Sequence, residues 1–233
     1  MGQKIAKILY GSQNYNLSTP ESDKDYKVIE FPTSEELFYE KRLNRQIDDN
    51  SSIWDVRNFF KYLSKANPNA LELLFSVEQE YYDEDFKELL DYIRPRIGSV
   101  IRKNWQHFSS ATLGLAWESL RRNSITPKTV GRLVFFYLMW LSLVYVDGDK
   151  RCTNGEMTEE TWRNSTRIWP RELRELDDTE TSARTELEET VEWIRHDWVP
   201  SNWYIVVQPQ DDEVCLDIQE KILDYFNKRL TSK

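Results

Sequence analysis

Apolar and polar positions first organise themselves over residues 4–10, KIAKILY, a short apolar-rich run that stops at Gly11-Ser12. A run of that length ended by a turn signal predicts a strand followed by a turn. Residues 13–22, QNYNLSTPES, are polar, and Thr19-Pro20 forces extension or a turn. A second strand is expected over residues 23–31, DKDYKVIEF, ended by Pro32. Ser34 then starts a helix over residues 34–42, with acids in its first turn. Residues 43–52 read as a loop. Ser52 caps a helix over residues 53–66, whose Ile53, Val56, Phe59, Phe60 and Leu63 share one face. Asn67-Pro68-Asn69 breaks that helix. Residues 70–76, ALELLFS, are apolar on both sides of Glu72, as in a strand buried on both faces. A short apolar run of this kind also suits a helix.

After residue 80 the spacing becomes helical. Helices are expected over residues 83–105, kinked at Pro95 and Gly98, then over 107–123, 181–198 and 211–230. Between Thr126 and Asp149 lies the most apolar helix, running from a Thr-Pro start to an Asp-Gly stop. Its run Leu133 to Val146 is shorter than the roughly 20 residues a membrane span needs and is closed by Arg132 and Asp147. It therefore reads as a buried central helix, with no membrane segment. Residues 158–178 are mixed in pattern, and 199–207 suit a short strand or a buried turn. The organisation is an α/β part over residues 1–80 followed by an all-helical part over 81–233.

Composition narrows the class. The 233 residues include 39% hydrophobic side chains and nine Trp, which excludes a disordered chain. Forty Asp and Glu against 31 Lys and Arg give a net charge of −9. That argues against broad duplex DNA binding, which needs a basic surface. It leaves room for a local basic groove, or for carboxylates gathered around a divalent metal. Cys152 and Cys215 lack metal-ligand spacing, and His107 and His196 are isolated, so a zinc site is not expected. Two free thiols and an N-terminus without a signal-peptide core point to a cytoplasmic protein.

The informative stretch is GSQNYNLSTPESDKDY, residues 11–26. Side chains at i and i+2 of a strand point to the same face, so Asp23 and Asp25 project together. Two carboxylates so placed repel, and Mg²⁺ relieves this, since it takes one or two carboxylates plus substrate phosphates. Gly11 lets the backbone approach a phosphate, and the Ser12 hydroxyl and nearby N–H groups donate to phosphate oxygens. A phosphate cradle beside a carboxylate pair is the equipment for metal-assisted phosphoryl or nucleotidyl transfer.

Gly-Ser, about ten residues, then Asp-x-Asp on a strand resembles the signature of the DNA-polymerase-β-like nucleotidyltransferase superfamily. The fuller string is similar to the RlaP-like, RNA-ligase-associated branch of bacteria and their phages, which typically reads G-S-x-x-Y-G-L-x-T-P-x-S-D-x-D-Y. Gly11, Ser12, Tyr15, Leu17, Thr19, Pro20, Ser22, Asp23, Asp25 and Tyr26 match, while Asn16 replaces the usual glycine. NPNALELLF, residues 67–75, is a second match. KTVGRLVFFYLMWL resembles a K-x-x-x-H-x-x-R-L helix whose histidine has no equivalent here.

The resemblance implies an α+β fold: a small mixed β-sheet nucleotidyltransferase domain, residues 1–80, followed by an all-helical C-terminal domain, residues 81–233. It implies three acids that bind Mg²⁺ or Mn²⁺ and serve catalysis. Asp23 and Asp25 are two. Glu72 is the expected third, as an acid in an apolar strand, with Asp55 and Asp48 in reserve. The nucleoside triphosphate is expected to meet Gly11, Ser12, Tyr15, Lys24, Tyr26, Lys128 and Arg132. Further basic candidates are Lys61, Lys65, Arg121 and Arg122, and Trp105 is a further base-stacking candidate. The implied reaction moves an NMP from an NTP to an acceptor hydroxyl on RNA, a small molecule or a protein. The alternatives are a non-catalytic nucleotide- or partner-binding relative, and an enzyme that transfers AMP to a partner protein.

Overall fold

The computed structural model describes residues 2–14, 17–20, 22–39, 44–122, 125–141, 143–147, 150–153, 176, 181–197, 203–205 and 210–231. The sheet at the N-terminal end is built from β1 (Gln3–Tyr10), β2 (Asp25–Phe31), β3 (Asn44–Asp48), β4 (Ser51–Asp55) and β5 (Gln79–Tyr81), in the order β3-β4-β2-β1-β5. β1 and β2 are antiparallel, with Tyr10 opposite Asp25 and Ile8 opposite Lys27. β4 runs parallel to β2 and sets Ser52 opposite Lys27. β3 and β5 close the two edges, each antiparallel to its neighbour. The sheet is therefore mixed, as expected.

Strand β2 begins at Asp25, so Asp23 sits in the approach to the strand, two residues before it. Of the expected loop 43–52, the described residues 44–52 supply β3 and the start of β4, which meet in a hairpin where Asp48 Oδ1 accepts from the Asn50 N–H at 2.9 Å. β3 is exposed along its whole length. It therefore shows no apolar alternation from which a strand is read.

Helix α1 (Ser34–Phe38) is capped by Thr33, one residue before the expected Ser34, in a capping box closed by Glu36. α2 (Val56–Leu63) starts after Asp55, whose side chain accepts from the Arg57 N–H at 2.8 Å. The carboxylate also takes the Arg57 guanidinium at 2.6 Å. Asp55 is thereby accounted for as a cap. Residues 70–76 are a correction: Pro68–Leu74 form helix α3, and Phe75 is its C-cap. Asn67 accepts from the Asn69 N–H at 3.0 Å and Pro68 occupies the first helical turn. Asn-Pro was therefore a helix start as well as a helix stop. Ala70 to Leu74 are all buried, which erases the amphipathic period that would have separated helix from strand.

The chain continues through α4 (Glu84–Ile93), a 3₁₀ turn at Arg94–Arg96 around Pro95, α5 (Ile97–Lys103), α6 (Trp105–Arg122) and α7 (Pro127–Leu141). The long apolar run divides: α7 ends at Leu141, and β6 (Val144–Asp147) follows. β6 pairs with β7 (Lys150–Thr153), and β7 pairs in parallel with β8 (Trp203–Ile205). This small three-stranded sheet is set within a C-terminal part that is otherwise helical among the described residues. α8 (Thr181–Asp197) and α9 (Gln210–Thr231) complete the described residues; the mixed segment 158–178 lies, apart from Leu176, outside them. Among the described residues, no helix is long and apolar enough to cross a membrane.

One apolar core joins the sheet to the helices, including β1, α2, α3, α7 and α9. Trp105 belongs to it at 3% exposure, its ring 6.4 Å from that of Trp140, which removes it from the candidates for stacking on a base. α9 folds back onto the first sheet: the rings of Tyr225 and Phe226 lie 6.1 and 5.3 Å from that of Phe31. Arg102 on α5 holds buried Asp211 at the start of α9 through contacts of 2.6, 2.9 and 3.1 Å.

Candidate active site

The site grows out of the end of β1. Gly11 adopts φ +89°, a left-handed conformation that glycine takes at no steric cost. A Cβ placed there would stand 3.2 Å from Asp25 Oδ2, so glycine also lets the turn close against that carboxylate. The turn is tied by Asn14 N–H to Gly11 C=O and by Leu17 N–H to Ser12 C=O, both at 2.9 Å. Gly11→Ala is expected to cost about 1–3 kcal/mol through its backbone strain. A melting curve reads that loss, and an unchanged midpoint contradicts it.

Behind the turn lies Glu72, fully buried on α3. Its Oε1 accepts from the Gly11 N–H at 2.5 Å and from Asn14 Nδ2 at 3.2 Å. Asn14 is itself buried and also donates to Leu9 C=O at 2.7 Å, while its oxygen accepts from Ser76 Oγ and the Val77 N–H. Glu72 and Asn14 thus hold the shape of the turn. Sequence reasoning missed Asn14; a short polar residue three positions after Gly11 is the signal that was available.

Strand alternation sorts the residues around Asp25. Lys24 and Tyr26 point away from it and meet Glu78, whose oxygens take the Lys24 ammonium at 2.8 Å and the Tyr26 hydroxyl at 2.6 Å. Glu78 raises the pKa of both partners and is itself held below the usual carboxylate range by them. Lys7 Nζ also covers the Tyr26 ring at 4.1 Å. Asp23 is exposed. It is presented by a turn in which Ser22 Oγ accepts from the Thr19 N–H at 2.8 Å and the Ser22 N–H donates to Thr19 C=O at 2.9 Å. Thr19, Pro20 and Ser22 therefore shape the approach to the acids.

A cleft of about 280 Å³ opens over this corner, lined by Tyr10, Gly11, Ser12, Leu17, Asp25, Lys128 and Arg132. Six of those seven are singled out in the sequence, Leu17 as a motif match and the other five as expected site residues. Lys128 and Arg132 lie one turn apart on α7, which places them on one helix face. Arg132 Nε is buried with no hydrogen-bond partner among the described residues, and the guanidinium stands 5.6 Å from the Phe136 ring centre. Buried donors are rarely left unmatched, so an orphaned guanidinium N–H beside this cleft suits an anionic ligand. The Tyr10 hydroxyl donates to Asn69 Oδ1 at 3.2 Å. Burial first, then the charges of Glu72 and Asp25, push that phenol far above its ordinary pKa, against the opposing pull of Arg132.

Lys27 shares the face of Asp25, two residues along β2. Its ammonium donates to Ser52 Oγ at 2.6 Å and lies 4.7 and 5.7 Å from the ring centres of Tyr10 and Trp54. Burial lowers its pKa, while Glu72 and Asp25 pull it back up. Sequence reasoning passed over Lys27, although alternation alone puts Asp23, Asp25 and Lys27 on one side.

Tyr15 and Asn16 lie outside the described residues, as does the side chain of Arg122. Lys61, Lys65 and Arg121 are exposed and do not line the cleft. Asp48 serves the β3–β4 turn. Among the described residues, no three His, Cys, Asp or Glu side chains come together as a metal-binding group. Asp23 and Asp25 suffice in kind for a Mg²⁺ or Mn²⁺ that arrives with a polyphosphate, since such an ion takes one or two carboxylates and fills its shell with phosphate oxygens and water.

The chain belongs to the RlaP family, described as the RNA repair pathway DNA polymerase beta family, whose profile matches residues 5–143. It is also similar to the uncharacterized 38.9 kDa protein of the nrdC-mobD intergenic region of Enterobacteria phage T4, 24% identical over 103 residues. That match covers 39% of this chain and 31% of the phage protein's length. No solved structure matches.

Proposed function

We propose that this protein is a metal-dependent nucleotidyltransferase that moves an NMP from an NTP to a hydroxyl at the end of an RNA. The observation that carries the reading is the cleft in which Gly11, Ser12 and Asp25 face Lys128 and Arg132. The family's description favours RNA over a small molecule or a protein as acceptor. The net charge of −9 disfavours a long duplex and does not itself favour RNA over a small molecule or a protein.

In this reading the Ser12 hydroxyl, Lys128 and Arg132 bind the triphosphate, and the orphaned Arg132 Nε–H donates to a phosphate oxygen. Asp23 and Asp25 hold the divalent ion, which when bound neutralises charge developing on the transferring phosphoryl group. Glu72, by fixing the Gly11 N–H and Asn14, keeps the turn in place. The acceptor oxygen forms a bond to the α-phosphorus as the bond to the β-phosphate bridge breaks, and pyrophosphate leaves. Asp25 receives the acceptor's proton. Lys24 and Tyr26 leave the nucleotide set and instead brace the approach to Asp23 through Glu78. The two-thiol composition supports a cytoplasmic setting.

The test incubates the purified protein with each α-labelled NTP, Mg²⁺ or Mn²⁺, and cellular RNA or protein. Label in the RNA fraction is the expected result. Label in protein alone points to the AMP-transferring alternative. Tight Mg-NTP binding without pyrophosphate release points to the non-catalytic one.

A further inference from the structure

We infer that α9 pairs with α9 of a second copy of this chain, the two helices running antiparallel. Leu216, Leu223 and Leu230 stand on α9 at 57, 61 and 48% exposure. They are seven residues apart, so they fall on one line of the helix that drifts by only about 20° per step. Ile218 and Tyr225, which α9 buries in the core, lie on the far side of the helix. Exposed leucines scattered singly are ordinary on a protein surface, whereas a seven-residue repeat along one helix is the spacing by which helices seat against each other. A groove of about 410 Å³ between α2 and α9 widens this surface. Leu223, Ile222 and Phe226 line it from α9, and Phe60 lines it from α2.

Charge and symmetry select a second copy as the occupant. Besides buried Asp211, residues 210–220 carry four acids and no base, while residues 221–231 carry three bases and one acid. A parallel pair would set acid on acid. An antiparallel pair sets the acidic half of each helix against the basic half of the other. With Leu223 on the two-fold axis, Leu216 of one copy meets Leu230 of the other. Gln219 meets Asn227, both exposed, and a polar pair in such a seam fixes its register. The leucine line is therefore self-complementary, as a two-fold contact between identical chains requires. One pair of helices about 33 Å long is a small contact beside the roughly 800 Å² per partner of a standard interface, so the dimer forms at micromolar concentration.

The test uses the full chain. Light scattering is expected to read one 27.9 kDa chain in dilute solution and to rise toward twice that mass as concentration passes through the micromolar range. Leu223→Glu is expected to stay at one chain throughout, with a melting temperature within about 2 °C of the unaltered protein, because the side chain is exposed. Cross-linking reads the direction. Under mild oxidation Leu223→Cys is expected to give a disulfide-linked dimer, as is a mixture of Leu216→Cys with Leu230→Cys. Leu216→Cys alone is expected to stay unlinked, like the unaltered chain. A single-chain mass at every concentration, or a dimer that survives Leu223→Glu, overturns the inference. A linked dimer from Leu216→Cys alone reports a parallel pair and overturns it as well.

Discussion

Asp25→Asn is expected to lower NMP transfer by about 10³-fold or more while leaving the fold in place. The carboxylate lies against Gly11, where an added Cβ would come within 3.2 Å of it, and it lines the cleft with Ser12, Lys128 and Arg132. Losing about 4 kcal/mol of charge stabilisation at the transferring phosphoryl group corresponds to about 10³ in rate. Asparagine has nearly the same shape and no charge, so the packing of the turn is retained. A shift in melting temperature within about 2 °C is expected, as for a substitution worth half a kcal/mol or less in a chain of this size. The check pairs a pyrophosphate-release assay with a melting curve. Wild-type release rates in a folded Asp25→Asn protein contradict the assignment.

Asp211→Asn is expected to have the largest effect on stability. Asp211 is fully buried at the head of α9, and the Arg102 guanidinium that grips it is only 11% exposed. Removing one member of a buried ion pair strands the other charge and costs about 3–5 kcal/mol. At roughly 2–4 °C per kcal/mol for a chain of this length, the melting temperature falls by about 6–20 °C. The effect reaches the site indirectly. α9 also covers Phe31 at the end of β2 through Tyr225 and Phe226, and Arg229 reaches Asp83 at 3.3 Å. Thermal unfolding followed by circular dichroism reads the loss, and a midpoint within 2 °C of the unaltered chain contradicts it.

The signals legible in the sequence were those with local causes. Residues 4–10 and Gly11-Ser12 announced β1 and its turn through apolar content followed by a turn residue. Pro95 announced the break between α4 and α5. The spacing of Gly11, Ser12 and the Asp-x-Asp carried the family, and α7 delivered Lys128 and Arg132 to the same cleft as Gly11, Ser12 and Asp25. What stayed illegible depended on burial or on distant partners. Residues 70–74 are buried on every side, so their pattern has no period, and Glu72 looked like a strand acid when it is a helix acid holding a turn. β3 is exposed on every side and failed for the opposite reason. Lys24 and Tyr26 matched or adjoined the motif, yet strand alternation turns them toward Glu78. The same alternation, carried one step further along β2, exposes Lys27 as a neighbour of Asp25. The return of α9 to the first sheet has no local signature at all.

The central claim is tested most directly by stoichiometry on one acceptor. Purified protein is mixed with α-labelled NTP, Mg²⁺ and an RNA oligonucleotide ending in a free 3′ hydroxyl, and beside it the same RNA ending in a 3′-deoxynucleotide. The account predicts one pyrophosphate released for each labelled NMP joined to the free end, and neither product with the blocked end. Absence of label and pyrophosphate with the free end, in protein that binds the NTP and the RNA, contradicts it.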